Sequence, residues 1–324
     1  MNMITVVIPN YNGMKYLKEC LTSLACQAEA PGYEVLVVDN GSADGSREYM
    51  EAEFPQVRVI ALEENTGFCH GVNVGIKESQ TPYVVLLNND TKADKCFLKT
   101  LYESIEGREN VFAVSASMRM WDRPELLDGA GDNYCVLGWA YSRGKGRAAD
   151  GYQEACSVFS ACGGAAIYRK SVFEEIGYFD ELHFAYLEDL DIGYRALLHG
   201  YENRYEPGAV VLHYGSASTG SRYNEWKTRK ASANSVYVVY KNMPLLQWIW
   251  NLPFLLVGFL VKFLFFSIKG MGRIYIKGLF EGLKRCFSAE GRMHKVKWKA
   301  KHLKNCFYIQ WLLYRNLFLF LLKK

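Results

Sequence analysis

Three acidic positions in this 324-residue chain could carry chemistry. They are Asp39, the turn Asn88-Asn89-Asp90 and the pair Glu188-Asp189. Each has an ordinary explanation when taken alone, because an Asp after a strand often caps a helix and acids at a helix start complement its dipole. Together they are typical of a nucleotide-diphosphate site, where fixed acceptors hold the base and ribose and a carboxylate holds Mg²⁺ or Mn²⁺ against the phosphates.

The acceptor groups can be matched to the parts of such a ligand. Asp39 can accept a hydrogen bond from a pyrimidine ring N–H or a ribose hydroxyl, and Asp90 can ligate the metal ion. His213, at the polar end of a predicted strand, is a candidate to complete the metal shell. The alternative for His213 is a hydrogen-bonded histidine at a strand end with no such role.

Transfer of a group to an acceptor hydroxyl also needs a base that takes the proton of that hydroxyl. Asp189 is the preferred candidate, and Glu188 is the second. Asp191, two residues further on, does not share that helical face, so we expect a structural or capping role for it.

The elements that must position these residues alternate between strands and helices. Apolar and β-branched runs predict strands at residues 4–8, 33–38, 57–62 and 83–87. Helical spacing predicts helices at residues 14–27, 47–54 and 71–78. This alternation predicts a Rossmann-like α/β fold with a mainly parallel sheet, whose ligands bind at the carboxyl ends of the strands.

Two common nucleotide-binding motifs are missing from the sequence. The chain has no GxxxxGK[ST] loop, which disfavours a P-loop kinase or ATPase. Pro9-Asn10-Tyr11-Asn12-Gly13 stands at the first strand-to-helix turn in place of GxGxxG, which disfavours a dinucleotide oxidoreductase. With these two enzyme classes disfavoured, the remaining interpretation is metal-assisted transfer of a group from a nucleotide diphosphate.

Residues 121–151 are rich in glycine and aromatic residues and predict a loop-rich insert, either mobile over the site or a plain surface excursion. Trp139 and Tyr141 in this insert, and Tyr186 beyond it, could stack on an acceptor sugar or simply pack within the protein. The later pattern predicts a strand pair that ends at His213.

The net charge of +4 conceals two oppositely charged parts. Residues 241–324 contain 16 Lys and Arg and only two acids, which gives this segment a net charge of +14. Residues 1–240 therefore carry a net charge of −10. We therefore expect a catalytic domain over residues 1–240 and a basic, apolar helical extension over residues 241–324. The nine Cys include no CxxC pair, which indicates reduced thiols rather than a disulfide framework or zinc ribbon.

The basic extension contains two apolar runs, at residues 252–268 and 306–322, each slightly too short to span a bilayer comfortably. Basic and aromatic residues are interleaved between them, which favours an anionic membrane surface over nucleic acid as the partner. The N-terminus shows no signal-peptide pattern. We therefore expect peripheral or shallow attachment at the cytoplasmic face of the cell membrane.

Several segments resemble glycosyltransferase family 2. In chain order they are residues 6–12 (VVIPNYN), 37–46 (VVDNGSADGS), 65–68 with 71–73, 86–90 (LLNND), 188–191 (EDLD) and 211–213 (VLH). The resemblance covers roughly residues 3–240 and is greatest to rhamnosyltransferase-like bacterial members that build surface polysaccharide. It implies a GT-A fold and an inverting mechanism.

The resemblance also implies roles for individual residues. The nucleoside would be lined by Pro9, Tyr11, Asp39 and Asn65, and the ribose and diphosphate side by Asn88 and Asn89. The other matched donor-side positions are Asn12, Asn40, Ser42, Gly67 and Asn73. The ligands of Mg²⁺ or Mn²⁺ would be Asp90 and His213.

The sequence departs from the family pattern at Asn88, which replaces the first acid of the usual DxD motif. One carboxylate then remains at the metal, which implies weak metal binding without the donor. The Gln-x-x-Arg-Trp motif and the several clear spans of processive synthases are also missing, which favours addition of a single sugar.

The sequence thus predicts transfer of one sugar, with rhamnose as a candidate, from a UDP- or dTDP-sugar to a polyprenyl-linked glycan. A sugar nucleotidyltransferase is one alternative, although it would carry a cationic Gly-rich loop where residues 9–13 contain no cation. A catalytically silent, membrane-bound sugar-binding partner is the other, and donor hydrolysis would count against it.

Overall fold

The computed structural model describes residues 2–215 and 223–322, and strands alternate with helices through its N-terminal part as predicted. The strands are β1 (Ile4–Asn10), β2 (Tyr33–Asp39), β3 (Arg58–Ala61), β4 (Tyr83–Leu87), β5 (Thr91–Ala93), β6 (Val111–Met120), β7 (Arg123–Gly129), β8 (Asp132–Cys135), β9 (Trp139–Ser142), β10 (Cys156–Val158), β11 (Ala165–Arg169) and β12 (Glu202–His213). The helices are α1 (Met14–Ala25), α2 (Ser46–Glu53), α3 (Phe68–Glu78), α4 (Phe97–Ile105), α5 (Lys170–Ile176), α6 (Glu188–His199), α7 (Glu225–Asn242), α8 (Leu245–Ile268), α9 (Gly272–Phe287), α10 (Ala289–Met293) and α11 (Leu303–Leu321).

The main sheet has the strand order β10-β12-β6-β11-β4-β1-β2-β3, with β5 paired to β12 and β7 to β6. β1 pairs in parallel with β2 and β4, β2 with β3, and β12 with β6. β11 is antiparallel to both β4 and β6, so β6 and β12 run in the same direction as β1 to β4. The mainly parallel α/β sheet is confirmed, and β1, β2, β4 and β12 end at the same edge.

Helices cover both faces of the parallel strands, which explains their continuous apolar sequences. Ile4, Val6 and Ile8 of β1 face a core with α1 and α4, whereas Val7 faces a second core with α3. This alternation follows from the two-residue period of a strand. α3 approaches β1 closely at Gly75, where an added Cβ would lie 2.3 Å from Cγ1 of Val7.

Residues 121–151 are more regular than predicted. They form β7, which extends the sheet beside β6, and the antiparallel hairpin of β8 and β9, whose turn contains Gly138 with a φ of 72°. The predicted strand pair before His213 is one strand, β12, whose register shifts between Glu206 and Val210. Turn-forming residues here lie in hairpins and a bulge, which local composition does not distinguish from loops.

The aromatic residues of this insert pack against the C-terminal helices. Trp139 Nε1 donates a hydrogen bond of 3.0 Å to the carbonyl of Gly258, and the Tyr141 hydroxyl donates one of 2.6 Å to the carbonyl of Asn316. Both rings also contact Phe320. The sequence left open whether Trp139 and Tyr141 stack on an acceptor sugar or pack within the protein, and in the structure they pack within the protein.

The apolar core is continuous across residue 240. Tyr134, Leu190 and Tyr194 share one buried cluster with Val238 and Leu312, so the C-terminal helices pack on the preceding part of the chain. α7 itself runs through residue 240. The basic extension is therefore attached through a common core rather than through a linker.

α9 lies very close to α7 because its contact face is made of glycine. A Cβ added at Gly278 would lie 1.9 Å from Oγ of Ser232, and one added at Gly282 would lie 2.4 Å from the carbonyl oxygen of Ala233. The two glycines are one helical turn apart and face the same neighbour. Larger residues at these positions would force the helices apart.

α8 is longer than the apolar run that predicted it, since it begins at Leu245 and continues through Pro253. Its 24 residues correspond to a length of about 36 Å. Among the described residues it is the one helix long and apolar enough to cross a membrane, and only 17% of its most apolar window is buried. Length and composition alone do not separate a span from an interfacial helix.

A buried ion cluster joins α7 to α6 and to the turn before it. The Lys241 ammonium lies 2.7 Å from Asp180 and 2.8 Å from Asp191, and Arg195 lies 2.7 Å from Asp191. Burial alone would raise the pKa of Asp180, but Lys241 outweighs it and the pKa falls to about 2. The pKa of Asp191 is also lowered, because Arg195 and Lys241 outweigh burial. Asp180 and Asp191 are therefore ionised at neutral pH.

Lys241→Met should destabilise the protein strongly, because it leaves two buried carboxylates without their shared cation. We expect a loss of about 3–5 kcal/mol in the free energy of unfolding, measured by urea denaturation near pH 7.5. Lys277→Met on the exposed side of α9 is the matched control and should change stability by less than about 0.5 kcal/mol. Equal losses in the two variants would contradict a central role for Lys241.

Candidate functional site

A cleft of about 930 Å³ opens where β1, β2, β4 and β12 end and α6 begins. Its polar lining contains two pairs of residues that the sequence analysis singled out. One pair is Asp90 with His213, and the other is Glu188 with Asp189. Seven of the eleven predicted donor-side residues also line it. These are Pro9, Tyr11, Asn40, Asn65, Gly67, Asn88 and Asn89.

The donor side of the cleft is organised around Asn10, which the sequence analysis did not single out. Its buried Nδ2 lies 2.8 Å from Oδ1 of Asp39 and 3.0 Å from Oγ of Ser46, and its Oδ1 accepts a 2.7 Å bond from Nδ2 of Asn89. The Asp39 carboxylate also accepts from the backbone N–H of Ser42 at 3.1 Å. Asp39 is fully buried and reaches the cleft through Asn10.

Asn40 fixes the neighbouring loop after β3. Its Oδ1 accepts bonds of 2.9 Å from both the N–H and the hydroxyl of Thr66, and its Nδ2 donates to the carbonyl of Gly67 at 3.0 Å. Asn65 caps the same turn by accepting from the Gly67 N–H at 3.0 Å. These amides hold the rim of the cleft in one arrangement.

Three further predicted residues lie outside the cleft. Asn73 is buried and bonds both the carbonyl and the N–H of Phe179, at 2.8 and 3.0 Å, so its amide is committed to a turn. Asn12 and Ser42 join neighbouring loops, because the Asn12 N–H donates to Ser42 Oγ at 2.9 Å. The family resemblance predicted these residues without showing which groups their side chains would bond.

Asp90 and His213 lie next to each other in the cleft as an ion pair. Nε2 of His213 lies 3.3 Å from Oδ1 of Asp90, and Nδ1 lies 2.8 Å from Oδ2 of Asp128, which fixes the ring. Burial lowers the pKa of His213, but its bonds to Asp128 and Asp90 outweigh burial and raise the pKa to about 9. The imidazole therefore holds a proton where a divalent cation could bind, and the donor set suits Mn²⁺ or Mg²⁺.

A cluster of acids forms the opposite side of the cleft. The carboxylates of Asp132 and Asp189 and the thiol of Cys162 lie within 4.8 Å of one another, and Glu188 precedes Asp189 at the start of α6. Within the described residues, Oε2 of Glu188 and Oδ1 of Asp189 are buried without a hydrogen-bond partner. Unpartnered buried acceptors indicate a place prepared for a ligand that donates hydrogen bonds.

The acids of this cluster hold protons unusually firmly. Burial raises the pKa of Asp132 to about 6 and that of Glu188 to about 7. Burial, followed by the charges of Glu188 and Asp132, raises the pKa of Asp189 well above its ordinary value. Carboxylates whose pKa approaches neutrality are suited to exchange a proton with a substrate hydroxyl.

The loop before α6 is strained. Phe184, Tyr186 and Leu187 have φ values of 63°, 73° and 65°, in a region that costs a residue with a side chain roughly 1–3 kcal/mol. Trp226, which the sequence analysis missed, packs edge-on against both Phe184 and Tyr186 and is 42% exposed in the cleft wall. These aromatic rings supply a flat apolar surface beside the acids, of a kind that sugars stack on.

Glu188→Gln should stabilise the protein and weaken its activity. The pKa of Glu188 is raised from 4.5 to about 7, so its charge destabilises the folded state above about pH 7 and not below about pH 4.5. We expect the free energy of unfolding of the variant to exceed that of the wild type by about 1–3 kcal/mol near pH 8, and we expect this difference to vanish near pH 4.5. Thermal unfolding across this range measures it, and a pH-independent difference would contradict the assignment.

Comparison with known proteins gives a consistent result. The sequence model described as Glycosyl transferase family 2 matches residues 5–177. An N-acetylglucosaminyl-diphospho-decaprenol L-rhamnosyltransferase of Mycobacterium tuberculosis is 28% identical over 246 residues, which cover 68% of this chain and 78% of that protein.

Two solved structures have a similar fold. Staphylococcus aureus TarS, as the fragment 1–349, has a TM-score of 0.56 at 18% identity, over 95% of this chain and 90% of that one. The Pyrobaculum calidifontis mannosyltransferase PcManGT, in complex with GDP-Man and Mn²⁺, has a TM-score of 0.53 at 16% identity. The match covers 95% of this chain and 86% of that one. At these identities the likeness shows the fold alone, and it confirms the predicted GT-A arrangement.

Proposed function

Because the chain belongs to glycosyltransferase family 2 and has the GT-A fold, we propose that it transfers a single sugar, with inversion, from a nucleotide-diphosphate sugar to a lipid-linked glycan. The observation that carries this proposal is the placement of the Glu188–Asp189 acids in the same cleft as the Asp90–His213 pair. One side can receive a proton while the other neutralises a departing diphosphate. Rhamnose is a candidate sugar, since the Mycobacterium tuberculosis relative is a rhamnosyltransferase.

The donor would lie along the amide-rich side of the cleft. Asn10, held from behind by the buried Asp39, would meet the nucleoside, and Asn88 and Asn89 the ribose and diphosphate. Uracil and thymine present the same ring N–H, so UDP- and dTDP-sugars both fit. Asp90 and His213 would hold Mg²⁺ or Mn²⁺, which supplies positive charge for the leaving diphosphate when bound.

Asp189 would act as the general base for the acceptor hydroxyl, with Glu188 as the second candidate. Its unpartnered buried oxygen can accept that hydroxyl's proton, and the raised pKa makes this carboxylate a stronger base than an ordinary aspartate. The proton moves from the acceptor oxygen to the carboxylate as that oxygen bonds to the anomeric carbon. The bond from this carbon to the diphosphate oxygen breaks in the same step.

Asp189→Asn should abolish sugar transfer and leave donor binding nearly intact, because an amide cannot accept the proton. UDP-, dTDP- and GDP-sugars are first screened with Mg²⁺ or Mn²⁺ for thermal stabilisation and for transfer to a polyprenyl-diphosphate-linked sugar. With the best donor, we expect a loss of at least a hundredfold in kcat and a dissociation constant within about threefold of the wild type.

The matched control for Asp189 is Asp150→Asn, an exposed acid outside the cleft, which should keep full activity. Retained turnover in Asp189→Asn would move the base elsewhere, with Glu188→Gln as the next variant to assay. No stabilisation of the wild type by any nucleotide sugar would contradict the proposed function itself.

An enzyme that acts on a lipid-linked acceptor must reach a membrane surface. The exposed side of α9 has residues suited to such a surface. Arg273, Lys277, Phe280, Lys284 and Phe287 recur at three- and four-residue intervals, so they form one stripe, and all are exposed. The glycine face that contacts α7 is opposite. A helix with basic and aromatic residues on its outer stripe is suited to the interface of an anionic bilayer, which we propose to be the cytoplasmic face of the cell membrane.

Replacing Arg273, Lys277 and Lys284 together by Gln should weaken binding to vesicles that contain anionic phosphatidylglycerol. Each basic residue near such a surface contributes about 1 kcal/mol, so we expect at least a thirtyfold loss at low salt in a sedimentation assay. Activity towards a short water-soluble acceptor should change little.

The control for this triple variant removes three exposed cations of the catalytic part, which are Lys18, Arg47 and Lys95. We expect it to bind the same vesicles with nearly wild-type affinity. Equal losses in the two triple variants would show that net charge, and not the α9 stripe, determines membrane binding.

A further inference from the structure

The loop immediately before the acid pair adopts a backbone that its own sequence does not favour. Phe184, Tyr186 and Leu187 all have positive φ, and none of them is glycine. Leu187 directly precedes Glu188, so the direction in which α6 starts depends on this loop. A strained segment persists only where surrounding contacts over-determine it.

One side chain of α7 binds three backbone carbonyls of this loop. Asn234 is fully buried, and its Nδ2 lies 2.7 Å from the carbonyl oxygen of Tyr186, 2.9 Å from that of Ala185 and 3.1 Å from that of His183. An amide nitrogen has two hydrogens, so at least one bond is shared between two carbonyls. One residue therefore binds the backbone on both sides of Phe184 and at Tyr186 itself.

The orientation of the Asn234 amide is set in turn by α9. Nη1 of Arg285 donates to Oδ1 of Asn234, which places Nδ2 towards the loop. The Arg285 guanidinium lies 5.6 Å from the ring centroid of Tyr237 in α7, and the glycine contact of α9 with α7 brings it within reach. The chain of contacts runs from α9 through Asn234 to the start of α6.

We infer that Asn234 is a positioning residue, through which the α7–α9 pair holds Glu188 and Asp189 in the arrangement used for transfer, with Arg285 fixing its amide. This inference rests on the proposed function for the role of the acids. In the part of the chain that the structure describes, the Asn10 network of the donor side makes no hydrogen bond to Asn234. The segment after β3 does meet the strained loop, where the N–H of Cys69 donates to the carbonyl of Phe184 at 3.3 Å. Loss of Asn234 should therefore affect the proton-accepting side more than the donor side.

The test compares Asn234→Ala and Asn234→Asp with the wild type. The Asp variant keeps the volume and the bond from Arg285 but has no N–H to donate, so both variants release the loop. We expect kcat to fall at least tenfold while KM and the dissociation constant for the donor stay within about twofold. Hydrogen exchange of the backbone amides at residues 183–187 should accelerate in both variants.

The matched control is Asn316→Ala, which removes another buried asparagine whose Nδ2 donates to a carbonyl, that of Tyr134, at 2.9 Å. It should lower the melting temperature without accelerating exchange at residues 183–187, and kcat should fall by less than threefold. A kcat loss in Asn234→Ala no larger than in this control, or a parallel rise in the donor dissociation constant, would overturn the inference.

Arg285→Lys provides a second measurement if Asn234→Ala does not fold. It keeps the positive charge but loses the guanidinium bond, so kcat should fall by about threefold with KM unchanged and exchange at residues 183–187 faster. Wild-type rates in Arg285→Lys would remove α9 from the inference. If the wild type transfers no sugar at all, the proposed function fails, whereas the exchange measurement still tests whether Asn234 holds the loop.

Discussion

The position of α6 depends on a buried ion cluster whose central cation is Lys241. Lys241 of α7 lies between Asp180, in the turn that precedes the acid-bearing loop, and Asp191, in the first turn of α6. Removing three charges from water is costly, and their mutual attraction offsets that cost only when all three are in place. The segment between Asp180 and Asp191 is therefore fixed at both ends, and Glu188 and Asp189 lie within it.

This fixation allows the site to contain groups that oppose one another. Burial raises the pKa values of Asp132, Glu188 and Asp189, and the negative charges of these neighbouring acids oppose one another. On the facing side, Asn10 and Asn40 satisfy nearly all neighbouring polar groups with neutral amides. The side of the cleft where a donor would bind is therefore held by hydrogen bonds, whereas the side where a proton would be accepted contains acids that repel one another. Such a division is expected of an enzyme that binds its substrate with one set of residues and moves a proton with another.

α9 connects the site with the outside of the molecule. Its glycine face packs on α7, whose Asn234 holds the loop before α6, while its opposite stripe of basic and aromatic residues is exposed. The core shared across residue 240 means that the C-terminal helices contribute to the shape of the site as well as to the outer surface. The start of α7, the helix on which α9 packs, lines the cleft at Trp226 and Lys227.

Local patterns in the sequence determined the α/β alternation and placed Asp90, His213, Glu188 and Asp189 at strand and helix ends that meet, because periodicity and strand ends are properties of neighbouring residues. Tertiary structure decided what depends on distant partners. Asn10 became the centre of the donor side through Asn89, Asp128 came to orient His213, and Asn73 turned away towards Phe179. The hairpin in residues 121–151 and the clamp by Asn234 were likewise hidden, since a side-chain amide bonds whichever backbone groups the fold brings within about 3 Å of it.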